Sequence, residues 1–425
     1  MWGSEFARTP TCRARRVAIV APNNWRVPVE SPLPILRNWS ATVIDSQETD
    51  LRATAEQPFV TTRRTAPRPR RGWHGSMPDV SNLPSSFPTA RTPDPMDAPP
   101  LRWGVLAPGR IAGSFIDAMS RHTRQRLVAV GSRSAERGQA FAAAHGIDRA
   151  YSSYEQLVAE PDIDVVYVAS PHSEHRAQAL LALSAGKPVL VEKAFTRNAQ
   201  EAQEVAQAAA AAGVPAVEAM WTRFLPQTDV VRQLLADGAL GEVATVLADH
   251  GQFFAFEPAG RLFNPELAGG ALLDLGIYPL SFAAFVLGEP DAVSASGSLT
   301  ATDVDAQVAA ILTKGAAQAV VNATLLAKTP TTASISGSAG RLEISGPFYA
   351  PGRLTLTGTD DRQQIVREPD SITGHQGLCF EAAHLATLVA ERATESPLLP
   401  LAETVSVLRT ADAIRQQVGV RFPGE

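Results

Sequence analysis

Arg102-Trp103-Gly104-Val105-Leu106-Ala107-Pro108-Gly109-Arg110-Ile111-Ala112 decides the fold. Residues 102–106 predict a strand, 107–109 a turn, and residues from Arg110 a helix. In that order a glycine-bearing turn presents a helix N-terminus to a phosphate. Gly109 holds the middle glycine position of such a turn, where a side chain would obstruct the approach of a phosphate, and Ala112 is small enough for helix-on-strand packing. Ala107 stands where a first glycine is expected, and alanine tolerates less of the left-handed conformation used there. Taken alone, the stretch also fits a plain strand-turn-helix connection, so its neighbours must decide.

Working outward, short apolar runs recur at 127–131, 165–169, 189–192 and 215–218 with helical segments between them, the pattern of a mostly parallel sheet flanked by helices. Asn198 with Glu201 three residues later predicts a capping box that opens an alanine-rich helix running to about Ala212. Beyond Trp221 the pattern changes. A helix is predicted near 227–236, then β-prone runs at 244–254, 306–313, 317–325 and 332–335, and two closing helices near 376–390 and 403–418. The expected fold class is α/β: a dinucleotide-binding parallel-sheet domain over 101–220, then an α+β domain with a large, mostly antiparallel open sheet over 221–425. Residues 1–100 hold 15 of the 32 prolines, no lysine and no sustained apolar periodicity, so they are expected to form a disordered or loosely packed extension. Pro93, Pro95, Pro99 and Pro100 mark its boundary, and an internal start at Met96 would remove it.

A net charge of −5 with 19% charged residues gives no basic excess for nucleic acid. No apolar run approaches the ~20 residues that span a bilayer, so no membrane partner is expected. Cys12 and Cys379 lie far apart in unlike contexts, which indicates neither a disulfide framework nor a metal site and favours a reducing compartment. Arg15-Arg16 hints at a twin-arginine signal, but the apolar stretch after it is too short, and the expectation is cytoplasmic.

Three features carry chemistry. The second strand ends in Gly131-Ser132-Arg133-Ser134 rather than in the carboxylate that would bind ribose hydroxyls. A hydroxyl and a guanidinium suit a 2′-phosphate, which points to NADP, although Ser134 is also a good helix cap and Arg133 could be solvated. Lys193 is one of four lysines among 38 basic residues and follows the apolar run 189–191. There an amine can hold a hydroxyl and lower a neighbour's pKa, or simply snorkel to solvent. Asp274 and Tyr278 stand four residues apart, so on a helix they share one face. A tyrosine working as a proton relay needs a nearby cation, and Lys193 is the candidate. The alternative for the pair is a buried polar contact between domains.

The combined set resembles the Gfo/Idh/MocA oxidoreductase family over residues 101–425. It comprises the turn at 107–112, Ser170-Pro171-His172-Ser173-Glu174-His175, Gly186-Lys187-Pro188-Val189-Leu190-Val191-Glu192-Lys193, Glu218-Ala219-Met220-Trp221-Thr222-Arg223-Phe224, the Asp274 and Tyr278 segment, and the ending Arg421-Phe422-Pro423-Gly424-Glu425. Residues 218–224 and Tyr278 look like the branch of dimeric dihydrodiol dehydrogenases and NADP-dependent xylose dehydrogenases. The resemblance implies a Rossmann domain, a second domain whose open sheet forms a homodimer or higher oligomer, and a substrate cleft between them. It makes Lys193 and Tyr278 the catalytic pair, with Asp274 beside them. Ala107, Gly109, Arg110, Ile111, Ser132, Arg133, His172, Glu192 and Lys193 are implied to hold the cofactor, NADP with NAD possible. Trp221, Arg223 and Phe224 are implied to wall the cleft, with a core position as the alternative for the aromatics, and the loop 253–266 to cover it. For His172 and His175 a cap or core position is an equal alternative to a contact with the cofactor. The family usually has proline after the Glu-Lys pair, where this chain has Ala194. The implied activity is hydride transfer to or from a sugar, a polyol or a cyclic vicinal diol. A nicotinamide-dependent glycoside hydrolase and a non-catalytic NADP sensor are the competing classes.

Overall fold

The computed structural model describes residues 83–425, so the expectation of disorder for residues 1–82 lies outside the described residues. The first sheet contains β1 (Arg102–Leu106), β2 (Arg126–Gly131), β3 (Arg149–Tyr151), β4 (Val165–Val168), β5 (Val189–Glu192) and β6 (Ala216–Ala219). Their spatial order is β3-β2-β1-β4-β5-β6, with every neighbour parallel. The connecting helices are α1 (Arg110–His122), α2 (Ala135–His145), α3 (Tyr154–Val158), α4 (His172–Ser184) and α5 (Ala199–Ala212). β4, β5 and β6 are buried throughout, which fits a parallel sheet covered on both faces and explains their unbroken apolar runs. The strand order reverses between β1 and β4, and such a reversal opens a crevice at the carboxyl ends of the strands. In α5, Asn198 Oδ1 accepts from the Glu201 N–H at 2.9 Å, while the Glu201 carboxylate accepts from the N–H of Arg197 rather than from that of Asn198.

The second domain runs α6 (Pro226–Ala236), β7 (Val243–Gly251), α7 (Ile277–Leu287), β8 (Ala292–Leu299), β9 (Asp305–Lys314), β10 (Ala317–Thr324), β11 (Ala333–Gly337), β12 (Gly340–Ile344), β13 (Leu354–Gly358), β14 (Gln364–Arg367), α8 (Cys379–Glu391) and α9 (Leu401–Val418). The eight strands lie in the order β14-β13-β12-β11-β7-β10-β9-β8, antiparallel except for the β7/β10 pair. α7 and α9 pack on one face. On the strands' outward side Leu247, Val320 and Ile311 are exposed and pair across β7, β10 and β9. The segment Pro265–Leu287 is apolar enough to cross a membrane by length and composition, but 78% of its apolar window is buried inside the protein, so it is a core element here.

The boundary expected near residue 100 moves toward the N-terminus. Leu83 belongs to the main core, Phe87 and Ala90 pack against it, and Ala98 packs on Ala383 and Ala386 of α8. Arg91 gives its backbone N–H and its guanidinium to the Asp229 carboxylate on α6 (2.7 and 3.1 Å), and Gln125 donates to the Pro99 carbonyl at 2.8 Å. A proline-rich segment without helical periodicity can still be ordered when its carbonyls and one arginine find partners on elements already folded.

Candidate active site

The turn after β1 is the foundation of the site. Ala107 adopts φ 68°, the left-handed conformation that alanine tolerates poorly, and its N–H donates to the Gly131 carbonyl at 3.0 Å. Gly109 caps α1 without a side-chain bond. A Cβ on Gly109 would come no nearer to the protein than 3.8 Å, at Ala169 O, so packing does not require glycine there. What glycine provides is an open N-terminus of α1, facing a cavity of about 810 Å³.

One wall of that cavity is formed by residues 107–111, 132–134 and 170–172, with Ser114, Arg137 and Tyr154. The Ser170 hydroxyl on this wall is buried with no partner among the described residues. An uncapped helix N-terminus, a bare glycine and an orphaned hydroxyl along one wall fit a dinucleotide. At the far end Ser132 Oγ accepts from the Ser134 N–H (3.2 Å), and Ser134 caps α2 by accepting from the Arg137 N–H (3.3 Å). Arg133 is 72% exposed and only 3.9 Å from Glu174, loosely held and able to turn toward a ligand.

At the other end, Lys193 follows β5, and its peptide bond to Ala194 is cis. Lys193 Nζ donates to the Asp274 backbone carbonyl at 2.8 Å, lies 3.5 Å from Asp274 Oδ1, and sits 5.0 Å above the centre of the Tyr278 ring. Leu272–Gly276 forms a π-helical turn that runs into α7, so Asp274 and Tyr278 do not stand on one regular α-helix. Asp274 and Tyr278 nevertheless both reach the cavity. Burial alone would raise the Asp274 carboxyl, but the Lys193 ammonium and the Arg261 guanidinium overcome it and hold the group well below the usual carboxylate range. Tyr278 differs. Burial, reinforced by the Glu192 charge, pushes its phenol well above the ordinary value of 10. Lys193 lies over the ring face, and the hydroxyl instead accepts a hydrogen bond from Trp221 Nε1 at 3.1 Å.

Glu192 lines the cavity, accepts from the Tyr167 hydroxyl at 2.5 Å and from the Lys193 N–H at 3.2 Å, and burial raises its pKa. His172 also lines it; burial pushes the imidazole down to about 3, and Nδ1 lies 3.0 Å from the Ala268 carbonyl. His175 is fully buried between the Ala194 and Ser170 carbonyls, a core position. Trp221 stands behind Tyr278 and stacks on His375, itself a cavity residue. All three expected wall residues need correction, since Trp221 lies behind Tyr278 and is not itself among the residues lining the cavity. Arg223 points into the core, where it pairs with Glu403 at 2.6 Å and lies 4.8 Å from the Phe285 ring, and Phe224 stacks on His384. The four residues of the short 3-10 turn Trp221–Phe224 are all buried, so the turn faces inward.

The loop expected to cover the cleft contributes Phe254 and Arg261, which the sequence did not single out, and the sequence reading missed Arg137, His250, Gln252, Tyr349 and His375. Arg137 had a signal, since it follows Arg133 by one helical turn. The others sit on unrelated elements of the second domain, where no spacing links them. Burial pushes His250 down to about 4, so it is neutral beside Tyr278 and Tyr349.

A doubly wound sheet that opens its first turn onto a cleft, with an amine, a carboxylate and a phenol closing the other end, defines a dinucleotide-dependent oxidoreductase. Family models agree: residues 101–219 match the oxidoreductase family with an NAD-binding Rossmann fold, and residues 228–343 match the GFO/IDH/MocA C-terminal domain. The chain belongs to the Gfo/Idh/MocA oxidoreductase family. Trans-1,2-dihydrobenzene-1,2-diol dehydrogenase of Sus scrofa is 35% identical over 331 residues, covering 76% of this chain and 98% of the relative. Among solved structures, an aldose-aldose oxidoreductase of Caulobacter crescentus in complex with glycerol is 27% identical with a TM-score of 0.67, covering 76% of this chain and 98% of its own. A 3-ketoreductase of Actinomadura kijaniata in complex with TDP-benzene and NADP is 25% identical with a TM-score of 0.66, covering 75% and 98%.

Proposed function

We propose that this oxidoreductase is an NADP-dependent dehydrogenase or reductase that moves hydride between nicotinamide and the carbinol or carbonyl carbon of a cyclic vicinal diol, a sugar or a polyol. The observation that carries the reading is the convergence of Lys193, Asp274 and Tyr278 at one end of a cavity whose other wall is the open N-terminus of α1. The nicotinamide supplies the hydride donor or acceptor when bound. Tyr278 handles the proton. Its hydroxyl oxygen already accepts from Trp221, which leaves the phenolic hydrogen free for the cavity, and the raised pKa keeps it there at neutral pH. Such a phenol is a ready proton donor for carbonyl reduction; in alcohol oxidation it must take a proton, so that direction gains with rising pH. Lys193, anchored on the Asp274 carbonyl, brings positive charge to the place where negative charge develops on the substrate oxygen.

Support for NADP comes from Ser132, Arg133 and Arg137 at the cavity's far end; the Glu174 carboxylate, 3.9 Å from Arg133, is not among the lining residues. The NADP bound to the Actinomadura kijaniata 3-ketoreductase supports this choice, and the activity named for the Sus scrofa relative supports a cyclic diol. Tyr278, Tyr349, His250 and His375 offer ring faces to a cyclic substrate. The exposed Leu247, Val320 and Ile311 on the second sheet suit a homodimer interface, for which Val320→Asp should yield monomers by sedimentation. Cys379, a buried free thiol, accords with a cytoplasmic setting.

Absorbance of reduced nicotinamide on a panel of cyclic diols, pentoses, hexoses and glycosides, with NADP and NAD in turn, tests the reading. Net cofactor turnover with NADP preferred is expected. Product release without net turnover would assign glycoside hydrolysis, and binding without either would assign a sensor.

A further inference from the structure

Arg261 lies on the connection between β7 and the π-helical turn, a stretch held by its own contacts. Gly270 N–H donates to Leu262 O and Gly260 N–H to Glu257 O, both at 2.8 Å, and Phe263 is buried against Ala271, Leu275, Ala323 and Leu325. With residues 262 and 263 fixed, the Arg261 side chain enters the cavity from an anchored root. Its Nη1 donates to Asp274 Oδ1 at 2.9 Å, the same oxygen that lies 3.5 Å from Lys193 Nζ. Both cations therefore share one carboxylate oxygen. Asp274 Oδ2 has no hydrogen-bond partner among the described residues, and the Asp274 side chain, 10% exposed, lines the cavity. Arg261 Nε and Nη2 likewise have no acceptor among the described residues, and the side chain is 42% exposed.

We propose that Arg261 is a positioning and specificity-determining residue: it ties down Oδ1 of Asp274 so that Oδ2 accepts a hydrogen bond from a second hydroxyl next to the reacting carbinol, whose oxygen accepts from the spare guanidinium N–H. A hydroxyl is both donor and acceptor, and an exposed carboxylate oxygen beside an unused N–H matches both roles. A substrate lacking that hydroxyl leaves the carboxylate oxygen and the guanidinium unpaired once the cleft is filled. Enclosed sites built around a hydroxyl reject analogues without it by up to ~10⁴-fold; with Arg261 partly exposed, about 10²-fold is expected. This inference rests on the dehydrogenase reading.

The test compares kcat/KM for trans-1,2-cyclohexanediol against cyclohexanol and for glucose against 2-deoxyglucose, using the full chain with NADP. The wild-type protein is expected to favour the vicinal hydroxyl by about 10²-fold in at least one pair. Arg261→Ala is expected to bring that ratio close to one through a larger loss of activity on the vicinal partner than on the other, and Arg261→Lys to restore part of it. NADP binding, followed by fluorescence, should be unchanged in both variants. Equal losses on both partners of each pair, or an unaltered ratio, would overturn the role of Arg261 while leaving the dehydrogenase standing. No turnover of any probe by the wild-type protein with NADP bound would overturn both.

Discussion

The cofactor wall of the cleft comes from consecutive strand-to-helix turns, at 107–111, 132–134, 170–172 and 192–193, whereas the opposite wall gathers His250, Arg261, Asp274, Tyr278, Tyr349 and His375 from a strand end, a loop, a π-helical turn, a helix and two further connections. In a parallel sheet every strand delivers its carboxyl end to the same edge, so order along the chain becomes position in space. An antiparallel sheet alternates its ends, and its loops obey no such rule. The first wall is therefore robust in placement and narrow in chemistry, the second free to vary. Hydride chemistry needs both to meet at Lys193, the last cavity residue of the first wall, which reaches Asp274 on the second.

Replacing Arg223 gives the largest expected effect on this division. Arg223→Ala removes a buried guanidinium and strands the Glu403 carboxylate, costing about 3–5 kcal/mol of stability by denaturant titration. Activity per folded molecule should persist. If stability holds while KM for substrate rises, Arg223 belongs to the variable wall after all.

Arg133→Ala sharpens the comparison from the other side. Loss of a fork of donors for a 2′-phosphate should raise KM for NADP at least about tenfold, worth ~1.4 kcal/mol, and leave KM for NAD nearly unchanged. Equal effects on both cofactors would mean that Arg133 reads something other than the phosphate.

What could be read from the chain follows the same division. β1, β5 and the turn between β1 and α1 are legible because their apolar runs and glycine occur where backbone geometry demands them. β8 was not, since Ala292–Leu299 is built of alternating small and polar residues that carry little β signal, and the five-residue strands β12 and β13 are too short for a period. Among site residues, Lys193, Asp274 and Tyr278 stood out through residue type and spacing. Arg261 did not, because an arginine in a loop has no partner visible along the sequence, and its meaning appears only when the loop folds back on Asp274. Trp221, Arg223 and Phe224 misled for the converse reason: residue type says nothing about which way a 3-10 turn faces, and all four residues of this one are buried.

The smallest expected effect concerns the strained turn. Ala107→Gly relieves a left-handed alanine, worth ~1–2 kcal/mol, while adding unfolded-state entropy that costs ~0.4–1 kcal/mol. A net gain of up to about 1 kcal/mol in stability is expected by thermal unfolding. A clear loss would show that the Ala107 methyl contributes packing to the cofactor wall.

The central claim is that Tyr278 moves the proton at the meeting of the two walls. The measurement that bears on it most directly is the rate of NADP reduction from mildly acidic to alkaline pH, for the wild-type protein and for Tyr278→Phe. Asp274 is held well below the usual range, and His172 and His250 are pushed down to about 3 and about 4, so none of them titrates near neutrality. With Tyr278 raised well above 10, wild-type alcohol oxidation should climb with pH across the range while carbonyl reduction stays flat. Tyr278→Phe should lower oxidation at least ~10²-fold and lose the slope. A variant that keeps both the rate and the slope would contradict the account and move the proton to another group.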